Sequence, residues 1–359
     1  MKVDNIITSL FYQRSGDILP RHPFGQIKGT IKVIEIVSKS LENNMLGDPV
    51  TRHVSIYLPP DYETSGIEYP LLVDLVGFTG SGFSHTNWKA FQESVPQRIE
   101  RLISEGKMGS VILALPDCFT SLGGNQYIDS IAMGNWAEYL TEEMIPTIER
   151  EYRVLKGREF RGVFGKSSGG YGAMAHGMLK ADYWGAVAIH SGDVGFDRIY
   201  WGEFPKTVNV LNKYGGIQGF FDHIEKSTKL SHGEFTALMV LAMGASFDPD
   251  PNGPKGVRLP VDLHTCELID ERWEAWKSCD PIFMIENDEC QKNLAKLSGI
   301  YIDCGSRDQY NIHFGTRQFV KRLSELNIDY HYEEFDDTHS SIDYRMDVSL
   351  PFLYKKISL

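Results

Sequence analysis

Phe160-Arg161-Gly162-Val163-Phe164-Gly165-Lys166-Ser167-Ser168-Gly169-Gly170-Tyr171-Gly172-Ala173 runs from a short apolar segment, through the one G-x-S-x-G of the chain, into a series of small residues. The apolar run predicts a strand buried on both faces. The small residues predict a helix packed closely against it, and a sharp strand–turn–helix junction is the setting in which this pattern has a mechanism. The turn places Ser167 in a strained backbone conformation. Gly165 and Gly169 flank it because side chains there would drive strand and helix into collision. Ser167 then stands at the carboxyl end of a strand, where open α/β sheets bind ligands, and the amides of the following helix favour negative charge at that spot. A phosphate loop is the competing possibility. Gly165-Lys166-Ser167 lacks the earlier glycine of G-x-x-x-x-G-K-[ST] that a phosphate loop requires.

The segments around the motif repeat its character. Leu71 to Val76, Val111 to Leu115, Ala186 to Ile189 and Ile300 to Asp303 are short continuous apolar runs, as expected of parallel strands covered by helices on both faces. Thr30 to Val37 and His53 to Leu58 alternate and predict an antiparallel start to the sheet; Asp329 to Phe335 predicts its last strand. Helical spacing marks Trp88 to Glu105, Ala137 to Tyr152, Gly170 to Lys180 and Phe314 to Leu326. Strand–helix alternation of this kind predicts an α/β fold with a mostly parallel central sheet and helices on both faces. With no internal repeat and no low-complexity linker, residues 1–359 are expected to form a single domain, with residues 1–30 as an arm across it.

Composition narrows the function. The 359 residues carry a net charge of −12, which argues against a nucleic-acid partner, and the absence of a Lys/Arg-rich run argues against membrane attachment. No apolar stretch reaches the length of a membrane span, and Met1-Lys2-Val3-Asp4-Asn5 turns polar at once, unlike an export signal. Five scattered cysteines without a C-x-x-C pair point to free thiols and a cytoplasmic location. No cofactor is implied and no metal site, because no His/Asp/Glu/Cys cluster has ligand spacing. A homo-oligomer is neither implied nor excluded.

Serine needs a base to take its proton and an acid to orient the base. In this kind of fold both follow the serine in the chain. Asp308 lies in the loop after the strand that ends near Asp303-Cys304-Gly305; Asp303, nearer the strand body, is its rival and more suited to structure. His339 lies in Asp336-Asp337-Thr338-His339-Ser340-Ser341 after the last strand, where it can meet both serine and acid. His331 sits within a strand, and His313 near a helix start suits capping or packing. An oxyanion hole requires two donors. The backbone N–H groups of Ser168 and of Phe78, in the glycine-rich loop Gly77-Phe78-Thr79-Gly80, are the candidates.

From about 195 to 260 the chain is loop-rich and dense in aromatics, ending in Asp248-Pro249-Asp250-Pro251-Asn252-Gly253-Pro254. Long segments of this kind inside a domain are usually functional. The expectation is a lid-like insertion whose Tyr200, Trp201, Phe204 and Phe221 bind substrate; the alternative is that they anchor the insertion to its own small core.

These blocks taken together resemble the "Putative esterase" family, which holds esterase D, enterochelin esterases, feruloyl esterases and mycolyltransferases. The likeness rests on Tyr57-Leu58-Pro59-Pro60-Asp61-Tyr62, on Tyr69-Pro70-Leu71-Leu72-Val73 with the Gly77 loop, on G-x-S-x-G-G-x-G-A at 165–173, on Asp303-Cys304-Gly305-Ser306-Arg307-Asp308 and on Thr338-His339-Ser340. It departs from many relatives at Val76, where they have His or Ser, and its loop lacks the cysteine of the S-formylglutathione hydrolases. The resemblance implies an α/β-hydrolase fold and a serine esterase acting on a small or medium ester. Its triad would be Ser167, Asp308 and His339, with the Phe78 and Ser168 N–H groups as the hole. An acyltransferase or thioesterase would use the same groups, and a non-catalytic binding protein would have lost one of them.

Overall fold

The computed structural model describes residues 26–358, so the expected N-terminal arm lies, up to residue 25, outside the described residues. Eight strands form one sheet: β1 (Thr30–Val37), β2 (Thr51–Leu58), β3 (Leu71–Leu75), β4 (Ile112–Pro116), β5 (Arg161–Lys166), β6 (Ala186–His190), β7 (Gly299–Gly305) and β8 (His331–Phe335). Their spatial order is β1-β2-β4-β3-β5-β6-β7-β8. β1 and β2 are antiparallel, β2 runs antiparallel to β4, and every later pairing is parallel.

The central strands are largely apolar because both faces are covered. Leu72, Leu113, Phe164, Ala188 and Tyr301 point into one core with the helices Val95–Ser104 and Met346–Ile357. Leu71, Val73, Ile112, Ala114, Val163, Val187 and Ile300 point into the other, with the helix Ser168–Leu179 and most of the remaining helices. Alternate residues of a strand face opposite sides, so neither core could be left uncovered. The parallel register brings Leu75 opposite Gly165, Gly165 opposite Ile189 and His190 opposite Asp303. The loops after β3, β5, β6, β7 and β8 therefore open at one common edge, and each carries a candidate residue of the site.

Two expectations are corrected. The helix expected over Trp88 to Glu105 is confined to Val95–Ser104. Ser94 caps it in a reciprocal capping box with Gln97, and Pro96 fixes the first turn, so the helix cannot extend backwards. The segment 195–260 is helical rather than loop-rich, with helices at Phe196–Tyr200, Phe204–Lys213, Ile217–Ile224 and His232–Phe247. The last of these is apolar nearly all round, being buried on most sides, and so shows no amphipathic period. The chain between β6 and β7 also continues past 260, through Asp270–Ser278, Pro281–Met284 and Asp288–Lys296.

Candidate active site

Ser167 joins β5 to the helix Ser168–Leu179 at φ 58° and ψ −124°, a conformation that costs a non-glycine residue about 1–3 kcal/mol. The junction is tied down on both sides. The Ser167 N–H donates to the His190 carbonyl at 3.0 Å, and the Ser167 carbonyl accepts from the Tyr171 N–H at 2.8 Å. The flanking glycines are demanded by contact. A Cβ on Gly165 would lie 2.4 Å from the Leu75 carbonyl oxygen, and one on Gly169 would lie 1.8 Å from it. The helix thus packs backbone-to-backbone on β3.

The imidazole Nδ1 of His339 lies 2.7 Å from Asp308 Oδ2. The Asp308 side chain is fully buried, while that of His339 keeps 9% of its exposure. Asp308 Oδ1 accepts from the Tyr310 N–H at 2.9 Å, and the His339 N–H donates to Gln309 Oε1 at 2.9 Å. The Tyr310 ring meets the imidazole edge-on at 4.9 Å. The other candidates lie elsewhere. Asp303 is buried within β7, 2.7 Å from His190 Nδ1 and accepting from Arg345 Nε at 2.8 Å. Burial alone would raise its carboxyl, but His190 and Arg345 together hold it below the usual range. His331 stacks on Tyr301, and His313 is buried at the start of the helix Ile312–Glu325.

Ser167, Ser168, Phe78 and His339 line one cavity of about 350 Å³ at the common loop edge, within the usual size range of small-molecule sites. Ser168 is held from the side by Gln126, whose Nε2 donates to its hydroxyl at 2.9 Å. The insertion contributes Ile199, Tyr200, Phe235, Met239 and Met243 to the lining. Of the four aromatics expected to bind substrate, Tyr200 lines the cavity. Trp201, Phe204 and Phe221 do not. Trp201 is half exposed and leans on Trp273, Phe204 packs on Trp273 and Trp276, and Phe221 packs beside Phe220 beneath Lys255. Aromatic pairs of this kind add to packing; Phe204 and Phe221 belong to the buried core, while Trp201 lies on the surface.

Asp193 reaches the cavity from the loop after β6. Its position in Ser191-Gly192-Asp193, just past the carboxyl end of β6, is the sequence signal that marks it as a site residue. It accepts from the Tyr200 hydroxyl at 3.2 Å. Burial pushes its carboxyl up from 3.8 to about 6, helped by the Asp308 charge and opposed by His339 and Tyr200. Well below pH 3.8 the folded and unfolded chains both carry this proton. As pH rises toward 6 the unfolded chain releases it first, so this group's contribution to stability is lost across that window. Asp193→Asn is therefore expected to raise the melting temperature at pH 7.5, by the equivalent of at most about 3 kcal/mol, and to leave it nearly unchanged at about pH 3. Thermal unfolding across pH checks this; a difference that does not vary with pH would show that the folded carboxyl is not perturbed.

A family model described as "Putative esterase" matches residues 48–349. Esterase Rv1288 and Esterase MT1326, both of Mycobacterium tuberculosis, are each 26% identical over 175 residues, covering 45% of this chain and 34% of the relative. The match thus spans about a third of the length of these curated relatives. Among solved structures, a ferulic acid esterase superposes with a TM-score of 0.59 at 18% identity, over 92% of this chain and 99% of that one. An S-formylglutathione hydrolase from Agrobacterium tumefaciens superposes with a TM-score of 0.59 at 17% identity, over 93% and 98%. At such identities the likeness carries the fold.

Proposed function

The chain belongs to the "Putative esterase" family of serine hydrolases with the α/β-hydrolase fold, and from that premise we propose that Ser167, His339 and Asp308 form a catalytic triad that hydrolyses a carboxylic ester. The observation that carries the proposal is the strained Ser167 sharing a cavity with His339, whose Nδ1 is engaged by the buried Asp308. With Nδ1 committed to the carboxylate, Nε2 is the nitrogen left to accept the serine proton.

Ser167 Oγ attacks the ester carbonyl carbon as its proton passes to His339. The N–H groups of Ser168 and Phe78 meet the charge on the carbonyl oxygen. The carbon–alkoxide bond breaks, and His339 returns the proton to the departing alcohol. Water then attacks the acyl-enzyme, giving its proton to His339; the carboxylic acid leaves and Ser167 regains its hydrogen. Tyr200, Phe235, Met239 and Met243 form an apolar wall of the cavity, suited to an apolar or aromatic part of the ester. A ferulic acid esterase shares the fold, which makes aromatic acyl esters the first to try.

A fluorophosphonate probe is expected to phosphonylate one residue, Ser167, and to be competed by hydrolysable esters. Peptide mass mapping locates the adduct. A label at another residue, or ester turnover that continues in the fully labelled protein, would overturn the assignment.

A further inference from the structure

Asp74 is an unusual residue for its place. It stands in Leu71-Leu72-Val73-Asp74-Leu75, in the middle of the sheet, with its side chain wholly buried. A carboxylate there costs several kcal/mol unless it is paired. Its partner is His85, whose Nδ1 lies 2.5 Å from Asp74 Oδ2; Oδ1 has no protein partner among the described residues. Burial alone would lower the imidazole, but Asp74 more than offsets this and the net shift is upward. A core carboxylate thus anchors an imidazole and favours its protonated form, and that ring lines the cavity containing Ser167.

Two lysines line the same cavity, Lys89 and Lys166. Lys166 immediately precedes Ser167, and Lys89 follows His85 on the chain that continues from the Phe78 loop. Neither lysine forms an ion pair with another described residue. Burial lowers the Lys166 ammonium, and Lys89 adds to the effect; Asp343 and Asp308 oppose it. Asp343 is the acid that shares this lining, and it influences Lys166 and His85 without bonding either. Asp193, the other lining acid, is engaged by Tyr200. With His85 already paired to Asp74, Lys89 and Lys166 are the two cationic side chains that face the cavity without an ion-pair partner among the described residues, and a site of this kind attracts an anion.

We propose that His85, Lys89 and Lys166 form an anion subsite beside Ser167, so that the ester processed there carries a carboxylate or phosphate group. The inference rests on the triad assigned above for its substrate, but the subsite itself does not. An anion held there would fix the ester from a point remote from bond making, which is how binding energy is turned into orientation. It would also order the chain that carries Phe78, a candidate donor to the oxyanion.

Two measurements test the subsite. The first compares 2-naphthyl hemisuccinate, its neutral methyl succinate analogue and 2-naphthyl 3-phosphonopropanoate, which share a leaving group. The expected kcat/KM favours one or both anionic esters by about tenfold or more, with the preference shrinking as salt rises. Which anionic ester is favoured separates carboxylate from phosphate. Lys89→Gln and Lys166→Gln are expected to collapse the ratio, and Lys89→Arg to keep most of it. The second is calorimetric titration of glutarate and of inorganic phosphate into the intact protein, which needs no turnover. Binding is expected in the wild type and to be lost in both glutamine variants, with circular dichroism confirming that these are folded. Equal rates on charged and neutral esters, or titrations without heat of binding, would overturn the subsite. Failure of the triad would look different: no ester hydrolysed and no probe on Ser167, with anion binding still measurable.

Discussion

Ser167→Ala is expected to lower kcat by about a million-fold on any ester the protein hydrolyses, with the melting temperature unchanged. The two halves of this expectation have separate causes. Alanine keeps the Cβ, so the backbone conformation at φ 58° and the packing of that carbon are preserved. The backbone bonds from the Ser167 N–H to His190 and from Tyr171 to the Ser167 carbonyl involve no side-chain atom. What is removed is the hydroxyl alone, and with it the acyl-enzyme route. The oxyanion donors and binding contacts remain, and such a remnant still accelerates water attack by about a thousand-fold or more over the uncatalysed rate. Steady-state kinetics beside thermal unfolding checks both halves. Residual turnover above about a thousandth of wild type would exceed what such remnants leave and would point to a different nucleophile.

The same local chemistry explains which parts of the molecule could be read from the sequence. The strand–turn–helix at 160–173 was legible because its glycines answer to a contact that leaves no room for a Cβ, a constraint that no other residue type satisfies. The meeting of Asp308 with His339 was legible because each follows a strand's carboxyl end, and parallel strands bring such ends to one edge. The insertion was harder to read. In His232–Phe247 the apolar residues surround the axis, and periodicity, the main signal available, vanishes in a helix buried on most sides. Trp201, Phe204 and Phe221 show the other limit. Aromatic density indicated that the insertion had something to bury, but which ring faces the cavity and which faces Trp273 or Phe220 depends on helix packing, which no local pattern encodes. Asp74 and His85 pair across a loop, so neither residue alone marked the place of His85 on the cavity wall.

Asp308→Asn is expected to lower turnover by about four orders of magnitude while the protein keeps its fold and its reactivity order among esters. Asp308 Oδ1 accepts from the Tyr310 N–H at 2.9 Å, and Oδ2 faces His339 Nδ1 at 2.7 Å. An asparagine satisfies the Tyr310 N–H only by placing its carbonyl there, which turns its amide N–H₂ toward the imidazole. Nδ1 must then accept, and the ring proton moves to Nε2, the nitrogen required to take the serine proton. The ring stays in place in the wrong tautomer, so catalysis is lost without loss of structure. The same exchange elsewhere acts differently. Asp303 is ion-paired with Arg345 in the buried β7 network, where Arg345 keeps Glu333 as a second partner, so Asp303→Asn is expected to show first in stability, since breaking a buried ion pair is destabilising. Asp193→Asn removes a carboxyl that is bonded to Tyr200 rather than to the imidazole. Comparing kcat and melting temperature across the three variants therefore separates the acid that orients His339 from the two that do not. Loss of turnover in Asp193→Asn or in folded Asp303→Asn, with Asp308→Asn active, would move the acid of the triad to that residue.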